Sequence, residues 1–231
     1  MRPRVILLDA LGTLLELEPP APRLREELKR RYGVRVTEAA ASAAIAAEIA
    51  FYREHLDEGR DPESLAILRE RCAAELRCAL PEQLEAELPA PRDLVPALLA
   101  SLNFMPYPDA RPALIAAHAR GVVTVVVSNW DISLHQVLDN AGLGGLLAGV
   151  LTAAEAGVRK PATVIFEQAL RLVGARPEEA IHVGDSPEED VAGARAAGIE
   201  AVLISRDGSA PDGVRTIATL AELGDIVGRC G

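Results

Sequence analysis

The sequence predicts an α/β fold, a doubly wound parallel sheet interrupted early by a helical insertion. Three features carry the prediction. Residues 5–8, Val-Ile-Leu-Leu, form an unbroken apolar run that ends on Asp9 and breaks at Gly12. Aliphatic residues without alternation mark a strand buried on both faces. From Asp109 onward, short apolar runs alternate with helical segments, the order that builds a parallel sheet with helices on both faces. In residues 15–105 the strand-like runs vanish, and Ala, Leu, Glu and Arg recur with helical spacing. The expected division is therefore a Rossmann-like core over 1–14 and 106–231, with an α-helical cap domain over 15–105.

The elements follow in order. A helix over 22–32 stops at Gly33, a glycine stop. Thr37 caps a long helix reaching about residue 57, and Asp61-Pro62 opens another through about residue 79, an N-cap followed by proline at the first helical position. Shorter helices are expected over 81–88 and 91–102. In the core, a helix over 110–120 precedes a buried strand at 122–127 that ends on Ser128-Asn129. A helix over 132–140 and a weak strand at 149–152 lead to a loop carrying Arg159-Lys160-Pro161. A helix at 163–173, a strand at 180–183 ending on Gly184-Asp185-Ser186, and a helix at 189–197 come next. A last strand at 200–204 and a terminal helix at 220–227 finish the chain.

Composition narrows the function. The 231 residues are 49% hydrophobic but only 3% aromatic, so Ala, Leu, Val and Ile must fill the core. With 24 basic against 34 acidic residues, a formal net charge of −10 and no basic run, a nucleic-acid surface is excluded. Cys72, Cys78 and Cys230 include no CxxC pair, which fits a reducing, cytoplasmic setting rather than a disulfide framework or zinc site. No signal-peptide pattern and no membrane span are expected, because the first apolar run meets Asp9 at once and none approaches the ~18 residues a span needs.

Polar residues stand at matching places. Asp9, Ser128, Lys160 and Asp185 each lie at, or in the loop after, the carboxyl end of a predicted strand, and in a doubly wound sheet those ends converge on one crevice. Singly, each has a plainer reading: Asp9 and Asp185 as turn residues, Ser128-Asn129 as a helix cap, Lys160 as a surface lysine. Asp9, Asp185 and Asp190 oppose a single lysine, and an oxygen-only donor set of that charge suits Mg²⁺. Ser128, Asn129 and Lys160 then supply donors for the phosphate oxygens of a small-molecule substrate.

The constellation resembles the haloacid dehalogenase-like hydrolase superfamily, in the subgroup with a helical cap between its first two motifs. The resemblance rests on Asp9-Ala10-Leu11-Gly12-Thr13-Leu14, Ser128-Asn129, Lys160-Pro161 and Gly184-Asp185-Ser186 with Asp190. It implies that Asp9 is a nucleophile forming an aspartyl intermediate. It also implies that Ser128 binds the transferring group and that Lys160 steadies both that group and Asp9. Asp9, Asp185 and the Leu11 carbonyl are the implied Mg²⁺ ligands, with Asp190 holding a water on the metal. Gly12 and Thr13 join Ser128, Asn129 and Lys160 as the implied substrate-binding set.

One departure matters. Phosphatases of the superfamily carry a second aspartate, an acid–base, at the position of Leu11. Positioned acid–base catalysis contributes roughly 10²–10⁴-fold, so its loss costs about 3–5 kcal/mol of barrier. Three readings follow: a Mg²⁺-dependent phosphatase favouring good leaving groups, a 2-haloacid dehalogenase, whose halide needs no proton, or a binding module with vestigial catalysis. Other residues are set aside. His182 is expected to point away from the crevice, since strand neighbours alternate between faces. His118 and His135 lack ligand-like partners, and Phe51, Tyr52, Arg53 and His55 are read as packing. Trp130 is read either as a crevice wall or as packing beneath the cap, and Gly193 and Gly198 as structural.

Overall fold

The computed structural model describes residues 3–209 and 211–228; Cys230 lies outside them. The chain forms two compact units, residues 1–16 with 105–231, and residues 17–104.

The first unit is built on a six-stranded parallel sheet. Its centre is β1 (Val5–Leu8), every residue of which is buried. The chain leaves through β2 (Leu15–Leu17) and returns through β3 (Phe104–Pro106), which pair as a separate two-stranded sheet. These three-residue strands are not predicted, being too short for a period to show.

The second unit lies between them, with α1 (Pro20–Tyr32), α2 (Glu38–His55), α3 (Pro62–Ala79) and α4 (Pro91–Ser101). Thr37 caps α2 through the Ala40 amide, and Asp61 and Ser64 form a reciprocal capping box on α3, so orphan amide groups are satisfied where the sequence predicts. Ala41, Ala44, Leu24, Leu28, Leu68, Leu76, Leu94 and Leu98 fill the core of this unit. Small alanines let helices approach closely, which is how so aromatic-poor a chain still closes a core. Phe51 stacks on His55 at 4.1 Å between ring centroids, with Arg71 over the Phe51 ring; the expected packing role of that pair holds. The predicted helix at 81–88 is a single 3₁₀ turn, Glu82–Leu84.

The sheet resumes after α5 (Ala110–Ala119) with β4 (Val123–Ser128). Then come α6 (Leu134–Asn140), β5 (Gly149–Thr152), α7 (Ala153–Ala156), α8 (Thr163–Leu172) and β6 (Ala180–Gly184). After β6 a π-helical turn, Pro187–Ala192, runs into α9 (Gly193–Ala196), where the sequence predicts one α-helix. The widened turn arises because the Val191 amide reaches back five residues to the Ser186 carbonyl at 3.2 Å. β7 (Glu200–Ile204), β8 (Arg215–Ile217) and α10 (Leu223–Gly228) complete the unit. β8 is an unpredicted edge strand, three residues long, on β7.

The strand order is β5-β4-β1-β6-β7-β8. Leu8 lies in register with Val126 of β4 and Val183 of β6. From β1 the chain winds outward through β4 and β5, and from β6 it winds the other way. The reversal between β1 and β6 opens a crevice at the carboxyl ends of the strands, where Asp9 and Gly184 stand. Among the described residues, no helix is long and apolar enough to cross a membrane. Among the described residues, Cys72 and Cys78 form no disulfide.

Glu48, on α2, is 4% exposed. Burial pushes its carboxyl up to about 7, against a hydrogen bond from the Cys72 thiol that opposes the rise. The folded state therefore binds this proton more readily than the unfolded chain, and the associated stability is lost as pH rises through about 7. Glu48→Gln should gain about 3 kcal/mol on wild type between about pH 5 and about pH 8, read from denaturant unfolding. Parallel pH profiles for the two proteins would contradict this burial.

Candidate active site

Asp9 follows directly on β1, and its amide donates to the Val183 carbonyl at 2.9 Å. That bond continues the β1–β6 ladder one residue beyond the strand and carries the carboxylate to the switch point. Its Oδ1 accepts from the Ser128 hydroxyl at 3.0 Å and from the Lys160 ammonium at 2.6 Å. Oδ2 carries no hydrogen bond among the described residues. Lys160 is only 2% exposed and donates a second bond, also 2.6 Å, to Asp190 Oδ1. Asp190 is 1% exposed; its Oδ1 also meets His182 Nε2 at 2.9 Å and its Oδ2 accepts the Ser186 amide at 3.0 Å. Oxygens of Asp9, Asp185 and Asp190 lie within 4.8 Å of one another.

Each charge acts on its neighbours. Burial raises the Asp9 carboxyl above the ordinary carboxylate range despite Lys160 beside it, and Asp190 adds to the rise. Burial works against ionisation of Asp190 too, but there the Lys160 charge and the His182 hydrogen bond outweigh it and hold the carboxyl low. Lys160 is driven above its usual range because the two carboxylates outweigh its own burial. Asp185 keeps an exposed surface, yet its carboxyl is raised to about 6, first by desolvation and then by Asp9 and Asp190. Three carboxylates around one ammonium leave an acidic recess of oxygen donors, the donor chemistry of a hard divalent cation.

A model of the haloacid dehalogenase-like hydrolases matches residues 3–198. The chain belongs to that family. Its relatives include a phosphoserine phosphatase of Thermus thermophilus, 33% identical, with 88% of this chain and 89% of that protein covered. A glyceraldehyde 3-phosphate phosphatase of Methanopyrus kandleri is 30% identical over 88% of this chain and 84% of its own. Among solved structures, an HAD phosphatase of Thermococcus onnurineus superposes with a TM-score of 0.67 at 24% identity, covering 99% of this chain and 98% of that one. A 2-haloacid dehalogenase of Pseudomonas syringae gives the same TM-score and identity, covering 99% of this chain and all of the other. At that identity the likeness is one of fold.

In this hydrolase several predicted site residues are engaged by the chain's own groups. Asn129, expected to donate to substrate, clasps the main chain of Lys160: its Nδ2 donates to the Lys160 carbonyl at 3.1 Å and its Oδ1 accepts the Lys160 amide at 2.8 Å. Of the two turn residues read as substrate-binding, Gly12 donates its amide to the Leu15 carbonyl at 2.7 Å, and Thr13 is fully buried, its hydroxyl without a hydrogen bond among the described residues. Gly12 is needed for space and conformation: its φ is +81°, and a Cβ there would lie 2.1 Å from Asp185 Oδ2. Leu11 is half-buried and bridges to Leu15.

His182 was expected to point away. Alternation does send its neighbours to the opposite face, but the π-turn after β6 returns beneath the strand and brings Asp190 to the imidazole. Gly184 permits that return, since a Cβ there would sit 2.1 Å from Asp190 Cγ. Trp130 is buried, and its carbonyl accepts the Ala154 amide at 3.2 Å. His135 pairs with Glu155 at 2.9 Å on the surface, and His118 is exposed. The sequence missed Arg206, which grips the turn after Asp9 through the Gly12 and Thr13 carbonyls. Its signal was its place, two residues beyond the end of β7.

Lys160→Met leaves two buried carboxylates facing each other, and breaking a buried pair costs about 3–5 kcal/mol. Denaturant unfolding in a chelator should show that loss, with Lys160→Met/Asp190→Asn recovering at least about 1 kcal/mol of it. A single variant as stable as wild type would contradict the arrangement.

Proposed function

We propose that the protein is a Mg²⁺-dependent phosphatase. It acts on a small phosphorylated molecule through an aspartyl phosphate on Asp9, with residues 15–105 serving as its cap. The observation that supports this best is the asymmetry of the Asp9 carboxylate. Ser128 and Lys160 hold Oδ1, while Oδ2 is left for attack. The phosphatase names of the Thermus and Methanopyrus relatives point the same way.

The donor set fits a divalent cation, which Asp9, Asp185 and the Leu11 carbonyl would hold. When bound, it supplies positive charge where the phosphoryl oxygens gather negative charge. The chain's own residues do the rest. Asp9 Oδ2 forms a bond to phosphorus as the ester P–O bond opposite it breaks, and the leaving oxygen departs with the electron pair. The Ser128 hydroxyl and the Lys160 ammonium, adjacent to Oδ1, stabilise the oxygens of the transferring group. Asp190, both oxygens engaged, keeps Lys160 charged and in place. Water then cleaves the aspartyl phosphate, releasing inorganic phosphate and restoring Asp9.

Leu11 shapes the substrate range. With no carboxyl there to protonate the leaving oxygen, acyl and aryl phosphates are favoured over alkyl phosphates. The dehalogenase reading fares less well, because an anionic haloacid would enter a recess lined by Asp185 and Asp190. Purified protein should release phosphate from acetyl phosphate and p-nitrophenyl phosphate with Mg²⁺. It should stop in EDTA and fall by at least about 10³-fold in Asp9→Asn. Phosphate release at the wild-type rate by Asp9→Asn would overturn Asp9 as nucleophile, and halide release from 2-chloropropionate without metal would replace this reading with the dehalogenase one.

A further inference from the structure

Arg206 joins three parts of the core unit that are distant in sequence. Its Nε lies 3.3 Å from the Gly12 carbonyl and its Nη2 2.6 Å from the Thr13 carbonyl. On the other side, Nη1 and Nη2 meet the two carboxylate oxygens of Asp109 at 3.1 and 3.2 Å. The guanidinium lies over the Tyr107 ring, 3.5 Å from its centroid. Asp109 is itself fixed, its Oδ2 accepting the Leu220 amide at 2.8 Å. The ion pair is largely shielded, with side-chain exposures of 22% and 18%.

The two carbonyls that Arg206 holds belong to consecutive peptides, three and four residues after Asp9, in a turn that passes through the positive φ of Gly12. A turn of this kind has neighbouring conformations of similar energy unless something outside it fixes the peptide planes. A planar guanidinium does this, because its donors leave in fixed directions, whereas an ammonium acts as a point charge. The stack on Tyr107 and the Asp109 fork set the guanidinium plane in turn. Asp185 packs against Gly12 on the recess side, so a shift of this turn moves Asp9 and disturbs the Asp185 seat together. Displacements of about 1 Å far from the chemistry cost about 10²-fold in rate.

We propose that Arg206 is a positioning residue: with Asp109 and Tyr107 it locks the Asp9–Thr13 turn in the conformation that presents the nucleophile. Its kinetic consequence rests on the phosphatase reading; the locking of the turn does not. The amides of Gly12, Leu14 and Leu15 are hydrogen-bonded within the turn and report on it directly.

Hydrogen exchange followed by mass spectrometry, with acetyl phosphate kinetics at saturating Mg²⁺, tests this in Arg206→Ala and Arg206→Lys. Both variants should speed exchange over residues 10–15 by at least about tenfold while leaving β4 and β6 protected. Both should lower kcat about 10- to 100-fold with KM within about threefold. Unchanged exchange over the turn would overturn the proposal, as would wild-type kcat and protection in Arg206→Lys, since charge alone would then suffice. Should Arg206→Ala unfold as a whole, Arg206→Lys carries the same test. If wild type hydrolyses no phosphate ester, the phosphatase reading falls, while the exchange data still decide the locking of the turn.

Discussion

The Lys160 ammonium, buried between the carboxylates of Asp9 and Asp190 at 2.6 Å from each, is the interaction on which the rest of the site depends. None of the three groups is tolerable there alone, because an unpaired charge in a dry site costs several kcal/mol. Together they are tolerable because further hydrogen bonds reach the two carboxylates. Ser128 supplies one for Asp9, and His182 and the Ser186 amide supply two for Asp190. With Asp185, three carboxylates gather around the single cation, and in the proposed function that residual charge would receive a divalent metal.

The fold meets these demands with main-chain devices. Strand order places the reversal between β1 and β6, so Asp9 and Gly184 emerge side by side. The π-turn after β6 swings Asp190 under His182, and Gly184 leaves room for it. Asn129 clasps the backbone of Lys160 across 31 residues of sequence. Widened helical turns recur where a side chain has to be re-aimed at a functional site, and here the re-aimed group is the carboxylate that balances Lys160.

Most of the sheet and its acidic recess were legible in the sequence because buried parallel strands leave unbroken Val, Ile and Leu runs with polar residues at their ends. Asp9, Ser128, Lys160 and Asp185 were found that way. What stayed hidden has a common cause. β2, β3 and β8 are each three residues long and carry no period. The meeting of His182 with Asp190 depends on a turn one residue wider than an α-helix, which composition does not announce. The clasp of Asn129 on the Lys160 main chain is set by tertiary structure, and no local pattern marks it. Arg206 sits 194 positions from Gly12, and pairing at that distance leaves no local trace.

The chemistry that follows is narrow. In the proposed phosphatase, a carboxylate with one oxygen held by an ammonium and a hydroxyl would serve covalent transfer, and Leu11 would favour groups that leave unaided. The proposed function requires that Asp9 carry the phosphoryl group. Rapid acid quenching during turnover of acetyl phosphate, followed by mass spectrometry of the proteolysed protein, tests it most directly. A phosphate-mass adduct is expected on the peptide containing Asp9, absent in Asp9→Asn. Steady phosphate release with no adduct on that peptide at any quench time, or an adduct on another residue, would contradict it.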